Sequence, residues 1–198
     1  SVSLGTLKYT TLLEDIKPDY VILHGDRFDI LSMGNVCLLM NIDIIHIEGG
    51  EKSGCIDNKI RNIVSIISKY HIVSNEIAYN NLLSIVNNKN NIYNLGCPII
   101  DKYNSIDFSL NNFNNILKIN ILFLEKYNYI ILIFHIDTLN IESSENDFIK
   151  IFNTIKKMNI KCLLLYPNID NHTKKIIRYI DNNKTDNIIA YKNFEFNI

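Results

Sequence analysis

The sequence lacks both an excess of one charge and any long apolar run. It has 20 lysine and arginine residues against 21 aspartate and glutamate residues, for a formal net charge of −1. A balanced charge excludes the bulk electrostatic attraction by which strongly basic proteins bind nucleic acids or anionic membranes. No stretch reaches the roughly 18–20 apolar residues that a membrane-spanning helix needs, and no signal peptide opens the sequence. We therefore expect a cytoplasmic protein that has neither nucleic acid nor membrane as a partner.

Glycines in the second half and paired cysteines are also missing. All seven glycines lie at or before Gly96. A glycine-rich phosphate-binding loop must therefore lie in the first half of the chain or be absent from it. The four cysteines are far apart and form no CxxC pair. They are typical of ordinary thiols in a cytosolic protein, and neither a disulfide framework nor a metal cluster is expected.

What the sequence does contain is a regular alternation of short and long apolar patterns. Hydrophobic residues make up 47% of the 198 residues, enough to form a core. Short β-branched runs predict strands at 20–23, 43–47, 71–74, 91–95, 129–134, 160–166 and 187–191. Amphipathic stretches between them predict helices at 6–16, 28–40, 57–69, 76–86, 112–126, 144–157 and 173–180. This alternation predicts an α/β fold with parallel sheets, and the Asn-rich stretch at 104–115 predicts a domain junction at residues 100–115.

Three polar clusters follow predicted strands in the first half. They are His24-Gly25-Asp26-Arg27, then His46-Ile47-Glu48-Gly49-Gly50-Glu51, and the pair Asp57 and Arg61, one helical turn apart. Ligands of parallel α/β sheets bind at the carboxyl ends of the strands, and Gly49-Gly50 would permit a close backbone approach to a ligand. Each cluster also has a purely structural interpretation. Asp26 would then cap its helix, and Asp57 with Arg61 would form a solvated ion pair.

The second half offers two weaker candidates. His135 follows the most apolar predicted strand, and Pro167-Asn168-Ile169-Asp170 follows the next one. A lone histidine at a strand end is more often structural than functional. Asn168 and Asp170 after a proline are equally typical of a turn that caps the following helix.

Several of these motifs, taken in order, carry a resemblance to a known family. The sequence contains HGDRF (24–28), MNIDIIHIEGGEKSG (40–54), Gly96-Cys97-Pro98 and Tyr166-Pro167-Asn168-Ile169-Asp170. With Lys17-Pro18-Asp19, Lys69-Tyr70-His71 and the strand before His135, they resemble the hydrolysing UDP-N-acetylglucosamine 2-epimerases. The likeness is particularly to the epimerase part of the bifunctional animal epimerase/N-acetylmannosamine kinase, and it covers nearly the whole chain.

The resemblance implies a glycosyltransferase-B-like fold with two Rossmann-like parallel-sheet domains, each incomplete in this chain. Residues 1–105 would be the later part of the N-terminal domain, and residues 106–198 the first part of the C-terminal domain. The implied reaction converts UDP-N-acetylglucosamine and water to N-acetylmannosamine and UDP, the first step of sialic acid biosynthesis. It proceeds by elimination of UDP and hydration of the resulting glycal, and it needs no cofactor. At full length the family also implies a homo-oligomer.

The family's functional residues map onto this sequence position by position. Asp26, Glu48 and Asp57 match its essential acid/base carboxylates, although their order of action stays open. The matching substrate-binding positions are His24, Arg27, His46, Arg61, His135 and Asn168. Among these, Arg27 and His135 match groups at the UDP diphosphate, Asn168 matches a nucleotide contact, and Arg61 would orient Asp57 or touch phosphate.

Departures from the family pattern keep two alternatives open. The stretch Asp57-Asn58-Lys59-Ile60-Arg61-Asn62 lacks one carboxylate and one histidine of the family motif, and the chain ends before the Gly- and Ser-rich segment that binds the diphosphate. One alternative is a truncated, inactive homologue that only binds a nucleotide sugar. The other is a hydrolysing epimerase for a modified UDP-sugar. We expect the 198-residue chain on its own to have little or no epimerase activity.

Overall fold

The computed structural model describes residues 2–86, 89–105, 128–137, 139–167 and 173–192. The chain forms two compact units, Ser1–Ile106 and Asp107–Ile198. Each unit consists of parallel strands joined by helices, so the predicted α/β class is confirmed. No helix in these described ranges is long and apolar enough to cross a bilayer.

The first unit contains a four-stranded parallel sheet whose strand order, β1-β2-β3-β4, follows the sequence. Its strands are β1 (Tyr20–His24), β2 (Asp43–Ile47), β3 (Tyr70–Val73) and β4 (Ile92–Asn94), the last preceded by a 3-10 turn at Lys89–Asn91. Its helices are α1 (Val2–Ile16), α2 (Phe28–Leu39), α3 (Ile56–Ile67), α4 (Glu76–Val86) and α5 (Ile99–Asn104). Because every strand pair is parallel, the carboxyl ends of all four strands lie at one edge of the sheet.

Two clusters of buried residues form the core of this unit. Helix α3 is amphipathic and places Ile60 and Val64, four residues apart, on its buried face. The larger cluster comprises Leu13, Leu23, Val36, Cys37, Ile44, Ile60 and Val64, and the smaller one Val73, Ala78, Leu82 and Ile92. Strand β1 lies at the edge of the sheet, and its Ile22 remains 62% exposed.

Helix α1 begins four residues earlier than the sequence pattern predicts. Gly5 in its first turn lowers the intrinsic helix propensity of this segment. It also lets α1 lie close to α2, since a methyl group at Gly5 would be only 3.2 Å from Ser32 Oγ. That hydroxyl donates a hydrogen bond of 3.1 Å to the Val2 carbonyl. A contact between two helices therefore extends α1 beyond its local signal.

The second unit contains a three-stranded parallel sheet of order β5-β6-β7. Its elements are β5 (Tyr129–Ile133), α6 (Ile141–Lys157), β6 (Lys161–Leu165), α7 (Lys174–Asn183) and β7 (Ile188–Tyr191). The central strand buries three consecutive residues, as expected for a strand covered on both faces. The core comprises Phe148, Phe152, Ile155, Cys162, Leu164, Ile176, Ile180 and Ile188.

Most predicted elements are present with small changes at their ends. Helix α4 has the predicted bounds, and β2 also agrees in both ends. Helix α5 was not predicted, because its six residues are too few to show an amphipathic period. The predicted helix at 112–126 lies outside the described residues.

Candidate active site

Most of the predicted site residues lie at the carboxyl edge of the first sheet. His24 is the last residue of β1, and the loop 25–27 follows it. Glu48 directly follows β2, and the loop 95–98 follows β4. The parallel topology thus places these three loops at the same edge, where α/β sheets bind their ligands.

Asp26 and Arg61 form an ion pair between the β1–α2 loop and helix α3. The Arg61 side chain is only 9% exposed, and its Nη1 also donates a 2.7 Å hydrogen bond to the Glu51 carbonyl. Two structural interpretations of the sequence are therefore wrong. Asp26 does not cap α2, whose N-cap position belongs to Arg27. Arg61 pairs with Asp26 and not with Asp57, because burial of α3 turns the guanidinium toward the loops of the sheet edge.

His46 is fully buried beneath this edge, with both ring nitrogens engaged. Its Nε2 lies 2.9 Å from the Gly25 carbonyl oxygen, and its Nδ1 lies 3.0 Å from Ser65 Oγ. A carbonyl can only accept, so Nε2 carries the proton and Nδ1 accepts from the serine hydroxyl. Burial lowers the pKa of His46 to about 4, and the nearby charges of Arg61 and His24 act in the same direction. His46 is therefore a neutral ring that fixes the backbone beside Asp26.

Glu48 has a left-handed backbone conformation, and each of its two carboxylate oxygens contacts another side chain. Its φ of +65° lies in the left-handed region, which residues other than glycine adopt infrequently and which is one of the strained conformations that cluster at active sites. Its amide donates to the Ile72 carbonyl at 2.8 Å, which holds this conformation against β3. Oε2 lies 2.9 Å from His24 Nε2, and Oε1 lies 3.1 Å from Cys97 Sγ.

The charge state of Glu48 follows from these contacts. Partial burial raises the pKa of Glu48. The hydrogen bonds from Cys97 and His24 and the charges of His24 and Arg61 lower this pKa, and together they outweigh the effect of burial. The net pKa lies below the ordinary value for a glutamate. Glu48 is therefore a carboxylate at neutral pH, oriented through both oxygens.

The Gly49-Gly50 pair is buried and packs closely against protein, which by itself accounts for the two glycines. A methyl group at Gly50 would lie 2.8 Å from the Ala78 carbonyl carbon and still closer to its oxygen. At Gly49 it would lie 3.0 Å from Ser65 Oγ. The turn is also held by Asn81, whose Nδ2 donates to the Gly50 carbonyl at 3.0 Å. Glycine is required here because α4 packs directly on the turn.

Asp57 and Arg27 lie at the same edge but outside these contacts. Asp57 is in the first turn of α3, where its negative charge is favourable to the helix dipole. Its Oδ2 accepts from the Cys55 thiol at 3.5 Å. Arg27 is 69% exposed, with Nε donating to Asp29 at 3.2 Å and its guanidinium 5.7 Å from the Phe28 ring centroid.

The remaining predicted site residues belong to the second unit. His135 is exposed and lies two residues after β5, at the carboxyl end of its sheet. Asn168 lies outside the described residues, as does the predicted turn at Asp170.

Sequence reasoning assigned no role to several residues that hold this site. Cys97 contacts Glu48, Ser65 contacts His46, and Asn75 Nδ2 donates to Glu51 Oε1 at 2.8 Å. Asn75 and Cys97 carried a signal, since each follows a predicted strand, and Cys97 also belongs to the Gly96-Cys97-Pro98 motif. Across the described ranges, no group of three or more His, Cys, Asp or Glu side chains is arranged to hold a metal ion.

Comparisons with known proteins agree with these motifs. A family model described as UDP-N-acetylglucosamine 2-epimerase matches residues 1–197. A UDP-N-acetylglucosamine 2-epimerase of Neisseria meningitidis serogroup B is 30% identical over 193 residues, covering 97% of this chain and 50% of the relative. A Campylobacter jejuni GDP/UDP-N,N'-diacetylbacillosamine 2-epimerase (hydrolyzing) is 41% identical over 97 residues, covering 48% of this chain and 25% of the relative. The chain thus spans half the length of the Neisseria relative, and its match to the Campylobacter relative covers a quarter of that protein.

Solved structures show the same fold. The crystal structure of a UDP-GlcNAc 2-epimerase from Neisseria meningitidis bound to UDP-GlcNAc has a TM-score of 0.77 at 20% identity, covering 98% of this chain and 54% of that one. A Methanocaldococcus jannaschii UDP-GlcNAc 2-epimerase in complex with UDP-GlcNAc and UDP gives 0.76 at 23% identity, covering 98% and 55%. The predicted glycosyltransferase-B-like α/β fold, with two incomplete parallel sheets, is confirmed.

Proposed function

Because the chain belongs to the UDP-N-acetylglucosamine 2-epimerase family, we propose that the full-length protein containing it is a hydrolysing epimerase. It converts UDP-N-acetylglucosamine and water to N-acetylmannosamine and UDP, as the first step of sialic acid biosynthesis. The observation that carries this proposal is the geometry of Glu48, a carboxylate held through both oxygens on a left-handed backbone at the ligand-binding edge of the sheet.

The proposed reaction has two stages. A carboxylate removes the proton from C2, the C1=C2 double bond forms, and the C1–O bond breaks with its electron pair leaving on UDP. Water then adds its oxygen to C1 of the glycal and gives up one proton to a carboxylate, while a carboxylic acid returns a proton to C2 on the opposite face. The C2 proton is weakly acidic, so a positioned base is needed, and the departing diphosphate needs cationic stabilisation.

We assign the proton transfers to Asp26, Glu48 and Asp57. Arg61 fixes the direction of the Asp26 carboxylate, because it forms an ion pair with Asp26 and is itself held by a hydrogen bond to the Glu51 carbonyl. The exposed guanidinium of Arg27 is a cation for the diphosphate, and the exposed His24, which lies 2.9 Å from Glu48 Oε2, is a further substrate contact. We also propose that His135 and Asn168 bind the substrate.

His46 takes a different role from the one that the sequence suggested. Both of its ring nitrogens are bonded to protein atoms, and the ring is fully buried. We therefore propose that His46 positions the Gly25–Asp26 backbone and does not contact the substrate.

A modified UDP-sugar is the second candidate substrate. The Campylobacter relative, named for a diacetylbacillosamine nucleotide, is 41% identical over the 97 residues that it matches. Both candidates use the same elimination chemistry and differ only in the sugar pocket.

Release of UDP and the identity of the free sugar test this proposal. The full-length protein is incubated with UDP-N-acetylglucosamine and, separately, with UDP-N,N'-diacetylbacillosamine, and the products are separated by chromatography. We expect UDP with N-acetylmannosamine from the first substrate. Preferential turnover of the second would assign the modified sugar, and binding of both without turnover would identify an inactive binding module.

Substitution of Glu48 tests the site assignment in the same assay. Glu48→Gln keeps the shape of the side chain and removes its proton-transfer capacity, so kcat falls by roughly 10²–10⁴-fold. The matched control is Glu76→Gln, an exposed glutamate in the first turn of α4. If both variants kept normal turnover, the assignment of Glu48 would be wrong.

A further inference from the structure

Cys97 contacts Glu48 although the two residues follow strands, β4 and β2, that are not neighbours in the sheet. Strand β3 lies between β2 and β4, so the loop after β4 must cross the carboxyl end of β3 to meet the loop after β2. The Leu95 amide donates to the Val73 carbonyl at 3.2 Å, which ties the loop to the end of β3. Gly96 then adopts a φ of +89°, which turns the chain toward Glu48. The Cys97 thiol ends 3.1 Å from Glu48 Oε1.

The two oxygens of Glu48 have different donors. Oε2 faces the His24 ring nitrogen at 2.9 Å, and Oε1 faces the Cys97 thiol. A carboxylate with one donor on each oxygen cannot rotate about its terminal bond without losing both contacts. The backbone beneath it is fixed as well, because Glu48 is held in the left-handed region by its bond to Ile72. Both ends of this side chain are therefore constrained.

We propose that Cys97 is a positioning residue for Glu48: its thiol donates to Oε1 and, opposite His24, fixes the plane of the carboxylate for proton transfer at C2. This inference rests on the proposed function and adds to it a residue to which no motif assigned a role. The thiol does not react and does not contact the sugar. It acts only through the direction and acidity of Glu48.

The acidity of Glu48 gives this role a specific signature. The groups that bear on its charge are His24 from β1, Cys97 from the loop after β4 and the Arg61 guanidinium from α3. The thiol hydrogen bond lowers the pKa of Glu48, so its removal raises that pKa. Because Glu48 is a carboxylate at neutral pH, it enters the reaction as a base, and the acidic limb of the rate profile then moves to higher pH. A thiol with a merely structural role would leave that limb unchanged.

Three variants of the full-length protein separate these possibilities. Cys97→Ala removes the donor, Cys97→Ser replaces it by a hydroxyl donor, and Leu95→Ala is the matched control in the same loop, where the side chain is 71% exposed. We expect Cys97→Ala to lower kcat roughly 10-fold with KM within about 2-fold, since a hydrogen bond to a charged group is lost. Cys97→Ser should recover most of the rate, and Leu95→Ala should match the wild type.

A second readout keeps this inference separate from the proposed function. The titration of the Glu48 side chain is followed by carbon NMR in the same proteins, without substrate. We expect a higher midpoint in Cys97→Ala than in Leu95→Ala or the wild type. If the wild type turned over no UDP-sugar, the proposed function would fail, and this midpoint would still decide whether Cys97 acts on Glu48. An unchanged midpoint and an unchanged acidic limb in folded Cys97→Ala would overturn the role of Cys97.

Discussion

Replacing Gly50 with alanine should destabilise the first unit, because the added methyl group would clash with the backbone of helix α4 at Ala78. The added methyl group would lie 2.8 Å from the Ala78 carbonyl carbon and 3.1 Å from Leu82 Cβ. Both Ala78 and Leu82 are fully buried, and the closest group is helix backbone, so no flexible side chain can move aside. Either the turn or helix α4 must shift.

The size of this effect follows from a matched glycine. Gly50 and Gly54 both have positive φ, +83° and +71°, so alanine at either position carries the same left-handed penalty, about 1–2 kcal/mol. Both substitutions also reduce the entropy of the unfolded chain equally. A methyl group at Gly54 meets nothing within 4 Å. The difference between the variants is therefore the overpacking at Gly50, for which we expect about 3 kcal/mol.

Urea unfolding of the 198-residue chain measures this difference. Midpoint and slope are determined for the wild type, Gly50→Ala and Gly54→Ala, and the free energies of unfolding are compared at equal slope. Equal destabilisation by the two substitutions would refute the reasoning, because backbone conformation would then be the only penalty at Gly50.

The remaining predictions concern pH, a buried cation and a carboxylate. Burial lowers the pKa of His46 and of His71 to about 4, so the unfolded chain binds protons first as the pH falls. Stability should be full above about pH 6.5 and decline toward pH 4 by about 3 kcal/mol per histidine, as urea unfolding across this range would show. Arg61→Met should reduce the free energy of unfolding by about 3 kcal/mol, because it leaves the Asp26 carboxylate without its buried partner. The control is Arg27→Met at an exposed arginine, and equal effects of the two substitutions would contradict the burial argument. Asp57→Asn should lower kcat of the full-length protein by roughly 10²–10⁴-fold, and near-normal turnover would leave Asp57 only a surface role.

The order of elements and the position of the candidate site residues at strand ends follow from local patterns, whereas the pairing of their side chains does not. Helix α4 and strand β2 have clear periods and clear ends, so the sequence predicts both. The spacing of Asp57 and Arg61 is equally clear, yet Arg61 pairs with Asp26, 35 residues away. Which face of α3 is buried decides that pairing, and this depends on the packing of the whole unit.

The glycine pair and Cys97 illustrate the same limit. Two glycines beside a glutamate are typical of both a ligand loop and a tight helix contact, and only the position of Ala78 distinguishes them. Cys97 follows β4, which is separated from β2 by another strand, so no local motif reports its contact with Glu48. The sequence thus identifies candidate residues, and the fold supplies the contacts among them.

Proton NMR of the reaction in deuterated water tests the central claim most directly. The full-length protein is given UDP-N-acetylglucosamine, and the C2 position and the nucleotide are followed together. If UDP is eliminated and the glycal hydrated with proton transfer by Asp26, Glu48 and Asp57, the products are free UDP and N-acetylmannosamine that carries one solvent deuterium at C2. Product that retains UDP would contradict the hydrolytic step, and N-acetylmannosamine with hydrogen at C2 would contradict proton transfer by these carboxylates.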